Sequence, residues 1–157
     1  MNFNQLRFPN NPTKPIWDSV KLPLAAFLED NHHVFKAELE AIVNDPRDLY
    51  ETLRKVDGSI ESLATPGGWD AVRIVRYGHW FDLFCELAPL SCELLRSRPE
   101  LVNCPYVNTN FYKLNPGSHL KPHFGNAPRL TVHLPVIAPD PLRAAPAPYT
   151  HLTLPTT

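Results

Sequence analysis

The chain has 157 residues, 43% of them hydrophobic, 18 prolines and a formal net charge of −1. That length suits one domain with a real core, and so balanced a charge gives no footprint for nucleic acid or an anionic membrane surface. No run approaches the ~18 apolar residues of a membrane span, and the opening MNFNQLRFPN lacks the apolar segment of a secretory signal, so the expectation is a cytoplasmic protein without a transmembrane segment.

Residues 1–21 are rich in Asn and Pro and read as an extended arm, anchored by Ile16 and Trp17. Residues 22–56 read as helical, because Phe27, Leu28, Val34, Phe35, Leu39, Ile42 and Val43 form an imperfect apolar stripe. Asn44-Asp45-Pro46 interrupts it, and Pro46 suits the first turn of a second short helix. His32 and His33 would point about 100° apart on a helix, so they read as surface residues rather than metal ligands. Asp57-Gly58 and Pro66-Gly67-Gly68 are turn signals.

Residues 69–77, WDAVRIVRY, are rich in β-formers and read as a strand ended by Gly78. For Arg73, Arg76 and His79, solvated strand charges are at least as good a reading as substrate contacts. Residues 82–98 read as helix, with Leu83, Leu87, Leu90 and Leu94 at helical spacing and Pro89 imposing a kink or break. Cys85, Cys92 and Cys104 make an odd set without a signal peptide, which argues against a disulfide framework and for buried thiols.

The most informative stretch is 109–137, TNFYKLNPGSHLKPHFGNAPRLTVHLPVI. A strand-like run at 110–114 ends at Asn115-Pro116-Gly117, a strong turn signal. A second run alternates: Leu130, Val132, Leu134 and Val136 fall on one face, Arg129, Thr131 and His133 on the other. Between them, an extended backbone would set His119, Lys121 and His123 on one side. A helical zinc site is excluded, because Pro122 disfavours helix at Lys121 and Leu120 stands where that motif needs glutamate. Ligands carried on strands, as in small jelly-roll barrels, fit better.

NPGSHLKPHFG followed by RLTVHLPV resembles the aspartyl/asparaginyl β-hydroxylase family of non-haem iron, 2-oxoglutarate-dependent oxygenases, through Pro116, Gly117, Ser118, His119, Pro122, His123, Gly125, Arg129, Leu130, His133 and Leu134. A weaker likeness runs upstream through Trp69 and the Cys85/Cys92 spacing, over roughly 15–140. The resemblance implies a mainly β fold with N-terminal helices, a double-stranded β-helix or jelly roll that is incomplete in this chain. It implies Fe(II) and 2-oxoglutarate as cofactors, His123 as iron ligand and catalytic residue, Arg129 and His133 facing the cosubstrate, and His119 facing the substrate. Gly125 stands where related oxygenases carry a carboxylate ligand. Thr131 replaces a second arginine, and Tyr112 replaces a serine that in some relatives helps hold the cosubstrate. The implied substrate is a small molecule or peptide: an Asp/Asn side chain, a free amino acid or an acyl chain.

On this reading residues 22–141 form a partial hydroxylase-like domain, and the second iron-binding histidine and distal cosubstrate arginine are missing. Residues 142–157 read as a non-native tail, since YTHLTLPT looks like one frame of a sequencing adapter. The alternatives are an inactive, incomplete barrel and a cupin-like module binding metal through His119, His123 and His133.

Overall fold

A computed structural model describes residues 22–55, 68–121 and 131–138. The extended arm, the turns at 57–58 and 66–67, and the tail lie outside these residues. The element order is α1 (Pro23–Asp30), α2 (His32–Val43), α3 (Leu49–Lys55), β1 (Trp69–Arg76), β2 (His79–Trp80), α4 (Asp82–Leu87), α5 (Pro89–Arg96), α6 (Pro99–Val102) and β3 (Asn108–Leu114).

Prolines set the helix starts. α1, α5 and α6 each carry Pro in the first turn, where its missing N–H costs nothing. Asn31 separates α1 from α2, its side-chain amide donating to the Phe27 carbonyl at 2.8 Å. Pro46 does not open the next helix, as the sequence suggested. It sits in a turn closed by Asp45, whose carboxylate accepts the Arg47 backbone N–H at 2.8 Å, and Asp48 adopts φ 57° before α3 begins.

The sheet is antiparallel, in the order β2-β1-β3. β1 and β2 form a two-residue hairpin in which Tyr77 (φ 48°) and Gly78 (φ 77°) are both left-handed, the backbone that suits the twist of a tight hairpin. β1 pairs with β3 from Trp69↔Leu114 to Arg76↔Asn108, with an irregularity between Arg73 and Val75. There Ile74 turns its carbonyl to the Phe81 N–H at 3.0 Å. After β3, Pro116-Gly117 makes the expected turn: Gly117 has φ 75° and the Ser118 N–H reaches the Asn115 carbonyl at 3.1 Å, as a type II turn requires.

The helices cover one face of this sheet. Val72, Ile74 and Val75 join Phe35, Ile42, Phe84 and Leu95 in the core, and Phe111 of β3 meets Phe84 with ring centroids 5.7 Å apart. Burying a Phe or Ile side chain of this kind contributes about 1.5–3 kcal/mol. The break between α4 and α5 falls at Ala88, as Pro89 required. Ala88 offers no side-chain cap to α5. Glu38 of α2 supplies it instead, accepting the Leu90 N–H at 3.0 Å and the Ser91 N–H at 2.7 Å.

Two expectations need correction. Cys85 and Cys92 are not thiols: they form a disulfide joining α4 to α5, with Cα atoms 5.5 Å apart, well inside the range a disulfide can span. Cys104 is free. The strand expected around 130–136 is not one over 131–138. Its alternation still records burial, since Leu134 and Val136 pack against the core while His133 is exposed, but those residues pair with no strand. The described residues thus hold the expected N-terminal helices and, of the expected β fold, one three-stranded antiparallel sheet.

Candidate functional site

β1 and β3 each show alternate side chains to opposite faces. On the helix-covered face, Asp70 opposite Lys113 and Val72 opposite Phe111 belong to the packing side. Asp70 meets Arg54 at 3.4 Å and the Asn115 amide at 3.4 Å, Arg54 also pairs with Glu51, and Lys113 lies 5.1 Å from the Tyr50 ring centroid.

The other face carries Trp69, Ala71 and Arg73 of β1 opposite Leu114, Tyr112 and Asn110 of β3. The Trp69 and Tyr112 rings stack at 4.9 Å with an interplanar angle of 23°. The Asn110 amide donates to the Tyr112 hydroxyl at 2.9 Å. Tyr112 and Leu114 are exposed, and Arg73 and Asn110 are partly buried. Burial, and then the charge of Arg76, hold the Arg73 guanidinium below the usual arginine range, with the Tyr112 and Tyr77 phenols acting the other way. The result is a cation, an amide and an oriented phenol on an aromatic floor, suited to recognising a polar or anionic ligand.

Of the sequence-assigned residues, His123 and Arg129 lie outside the described residues. His119 follows the Pro116-Gly117 turn and is exposed, and His133 is exposed on the 131–138 segment. That segment is tied to α2 by His32, whose Nε2 lies 3.0 Å from the Pro135 carbonyl. His32 is thus a structural tether, while His33 is exposed. Arg76 lies over the Tyr77 ring at 5.5 Å and pairs across the hairpin with His79. Among the described residues no three His, Cys, Asp or Glu side chains are grouped to hold a metal ion. The sequence reading missed Asn110, which has no motif of its own; its place opposite Arg73 follows only from the strand register.

Comparison with known proteins defines the class. A family model described as aspartyl/asparaginyl beta-hydroxylase matches residues 29–151. The chain is 27% identical over 117 residues to the human protein named aspartyl/asparaginyl beta-hydroxylase, covering 74% of this chain and 15% of that one. It is 23% identical over 137 residues to the Rhizobium tropici protein named ornithine lipid ester-linked acyl 2-hydroxylase, covering 87% of this chain and 47% of that one. Both relatives carry hydroxylase names, and the chain spans less than half the length of either. The chain belongs to the aspartyl/asparaginyl beta-hydroxylase family. Among the described residues no helix is long and apolar enough to cross a membrane.

Proposed function

We propose that this chain is part of an iron- and 2-oxoglutarate-dependent hydroxylase acting on an Asp/Asn side chain, a free amino acid or an acyl chain. The observation that carries the reading is the family match over residues 29–151, which includes the Pro116–Gly125 motif and the Arg129 and His133 positions. His123 is the residue assigned to hold the iron. With 2-oxoglutarate and oxygen, that metal supplies the oxidising power to hydroxylate an unactivated carbon.

The chain's own residues bind and orient. Arg129 and His133 are assigned to the cosubstrate, where charge-assisted hydrogen bonds suit a dicarboxylate. Tyr112, held between the Trp69 ring and the Asn110 amide, is assigned a donor role where some relatives use a serine. Its hydroxyl accepts from Asn110 and keeps its own proton to donate. His119 is assigned to the substrate side.

The test is succinate release by the full-length protein supplied with Fe(II), 2-oxoglutarate and oxygen. Dependence on Fe(II) and on 2-oxoglutarate, abolished by His123→Ala, is the expected result. Metal-replete full-length protein that forms no succinate, yet retains stoichiometric zinc until His133→Ala removes it, would replace this reading with a cupin-like metal-binding module.

A further inference from the structure

The segment 131–138 carries no strand, and two kinds of contact hold it to the other described residues. Leu134 and Val136 pack against the core. Between them, the Pro135 carbonyl meets His32 Nε2 at 3.0 Å. Apolar packing is non-directional, so it sets how deep the segment lies and resists sliding only weakly. A hydrogen bond is directional and fixes one atom of the segment in place. Pro135 has no N–H, so its carbonyl is its one backbone anchor. Among the described residues no other hydrogen bond joins 131–138 to the body. The donor stands on a firm base. His32 opens the twelve-residue helix α2, and Phe35, nearly one turn further on, is buried. A carbonyl only accepts, so the hydrogen of this bond sits on Nε2 of His32. His133 precedes Pro135 by two residues and cannot lie more than about 7 Å from it along the chain. Its side chain is exposed, while the adjacent Leu134 packs on the core. A slip of the segment along the core therefore carries the His133 ring with it, and hydrogen bonds made by that ring weaken steeply once their angle is lost.

We propose that His32 is a positioning residue: by holding the Pro135 carbonyl it sets where the His133 imidazole stands, and through it the affinity for the dicarboxylate cosubstrate. The cosubstrate role of His133 rests on the hydroxylase reading; the tether itself does not. His32 touches no ligand on this account, and its reach is across 103 residues of chain.

The experiment uses the full-length protein with Fe(II), and reads three quantities: NMR order parameters over 131–138, 2-oxoglutarate affinity by calorimetry without oxygen, and the kinetics of succinate release. His32→Ala should lower the order parameters of this segment and weaken 2-oxoglutarate about 3- to 10-fold, the range of one net hydrogen bond. In turnover, KM for 2-oxoglutarate should rise by the same factor while kcat stays within about twofold. His32→Gln, whose amide nitrogen can donate in place of Nε2, should restore both affinity and order. His33→Ala, on the exposed neighbour, should change neither. In a His133→Ala background, His32→Ala should add no further loss, because its effect passes through that ring. Should His32→Ala fail to fold, His32→Leu removes the donor while filling the space. Unchanged order or unchanged affinity in the folded variant overturns the proposal, as does a His32→Ala loss that persists without His133. His32-dependent binding of 2-oxoglutarate by a protein that forms no succinate supports the positioning role and removes the hydroxylase reading alone. Succinate formation by His32→Ala with wild-type KM does the reverse.

Discussion

Glu38 offers the sharpest test of how the helices hold together. Its two carboxylate oxygens accept the Leu90 and Ser91 N–H groups at 3.0 and 2.7 Å, across 52 and 53 residues of chain. α5 has no local cap, because Ala88 precedes it and Pro89 carries no N–H. Glu38→Ala removes both acceptors. Leu90 is 54% exposed, so water can replace its bond and the loss there is about 0.5–1.5 kcal/mol. Ser91 is fully buried, and leaving its N–H unsatisfied costs about 1–3 kcal/mol. The sum, about 1.5–4.5 kcal/mol, should appear in urea unfolding as a lower midpoint at unchanged slope. Glu38→Gln keeps one acceptor and should lose about half as much. Glu40→Ala is the control, since its partner Lys36 lies 3.8 Å away on an exposed helix face and such pairs contribute about 0.3–0.5 kcal/mol. A Glu38→Ala loss no larger than that of the control would refute the long-range cap.

Tyr50 is buried, and among the described residues its hydroxyl has no hydrogen-bond partner. Tyr50→Phe should therefore be neutral or stabilise by up to about 1 kcal/mol, and a clear loss on thermal unfolding would show that the hydroxyl is satisfied. Burial first, and then the charge of Asp70, push the Tyr50 phenol above the usual tyrosine range. Its folded value is raised, so its contribution is full below the unfolded value of ~10 and is lost as pH rises toward the folded one; alkaline titration at 295 nm should show it ionising late. Asp45 is held to about 2, first by its side-chain hydrogen bond to Arg47 and then by the Arg47 backbone N–H. Its contribution is present above the unfolded value of ~3.9 and fades as pH falls toward 2, and Arg47→Ala should move the carboxyl NMR midpoint back toward the ordinary aspartate value. Reducing the Cys85–Cys92 bond, which closes a loop of sequence separation 7, should cost about 2.5 kcal/mol by loop entropy; identical unfolding of oxidised and reduced protein would contradict that, and a thiol assay with denaturant reports the oxidised fraction directly.

The elements most legible in the sequence are those whose cause is local. β1 announces itself by its β-formers, the α4–α5 break by Pro89 and the turn after β3 by Pro116-Gly117. β2 escaped because it is two residues long and because its hairpin asks Tyr77, not only a glycine, to take positive φ. Pro46 misled because Asp45 and Asp48 form a turn before α3 can start. The alternation at 130–136 is genuine as a burial pattern over Leu134 and Val136, but pairing needs a neighbouring strand, which no property of the segment itself encodes. The same limit applies to the site. The motif names His119, His123, Arg129 and His133, whereas the nearness of Arg73 to Asn110 is fixed by register across 37 residues of chain, and the thiol expectation failed because Cys85 and Cys92 meet across a helix break.

The two borders of the small sheet are unequal. One is blunted by β2, too short to template a neighbour. The other is β3, seven residues long, with no further strand beside it among the described residues. A strand added at β3, from this polypeptide or from another, would lengthen the floor beside Asn110 and Tyr112 rather than the hairpin side. The side of the sheet that grows decides which side chains come to stand beside that aromatic floor.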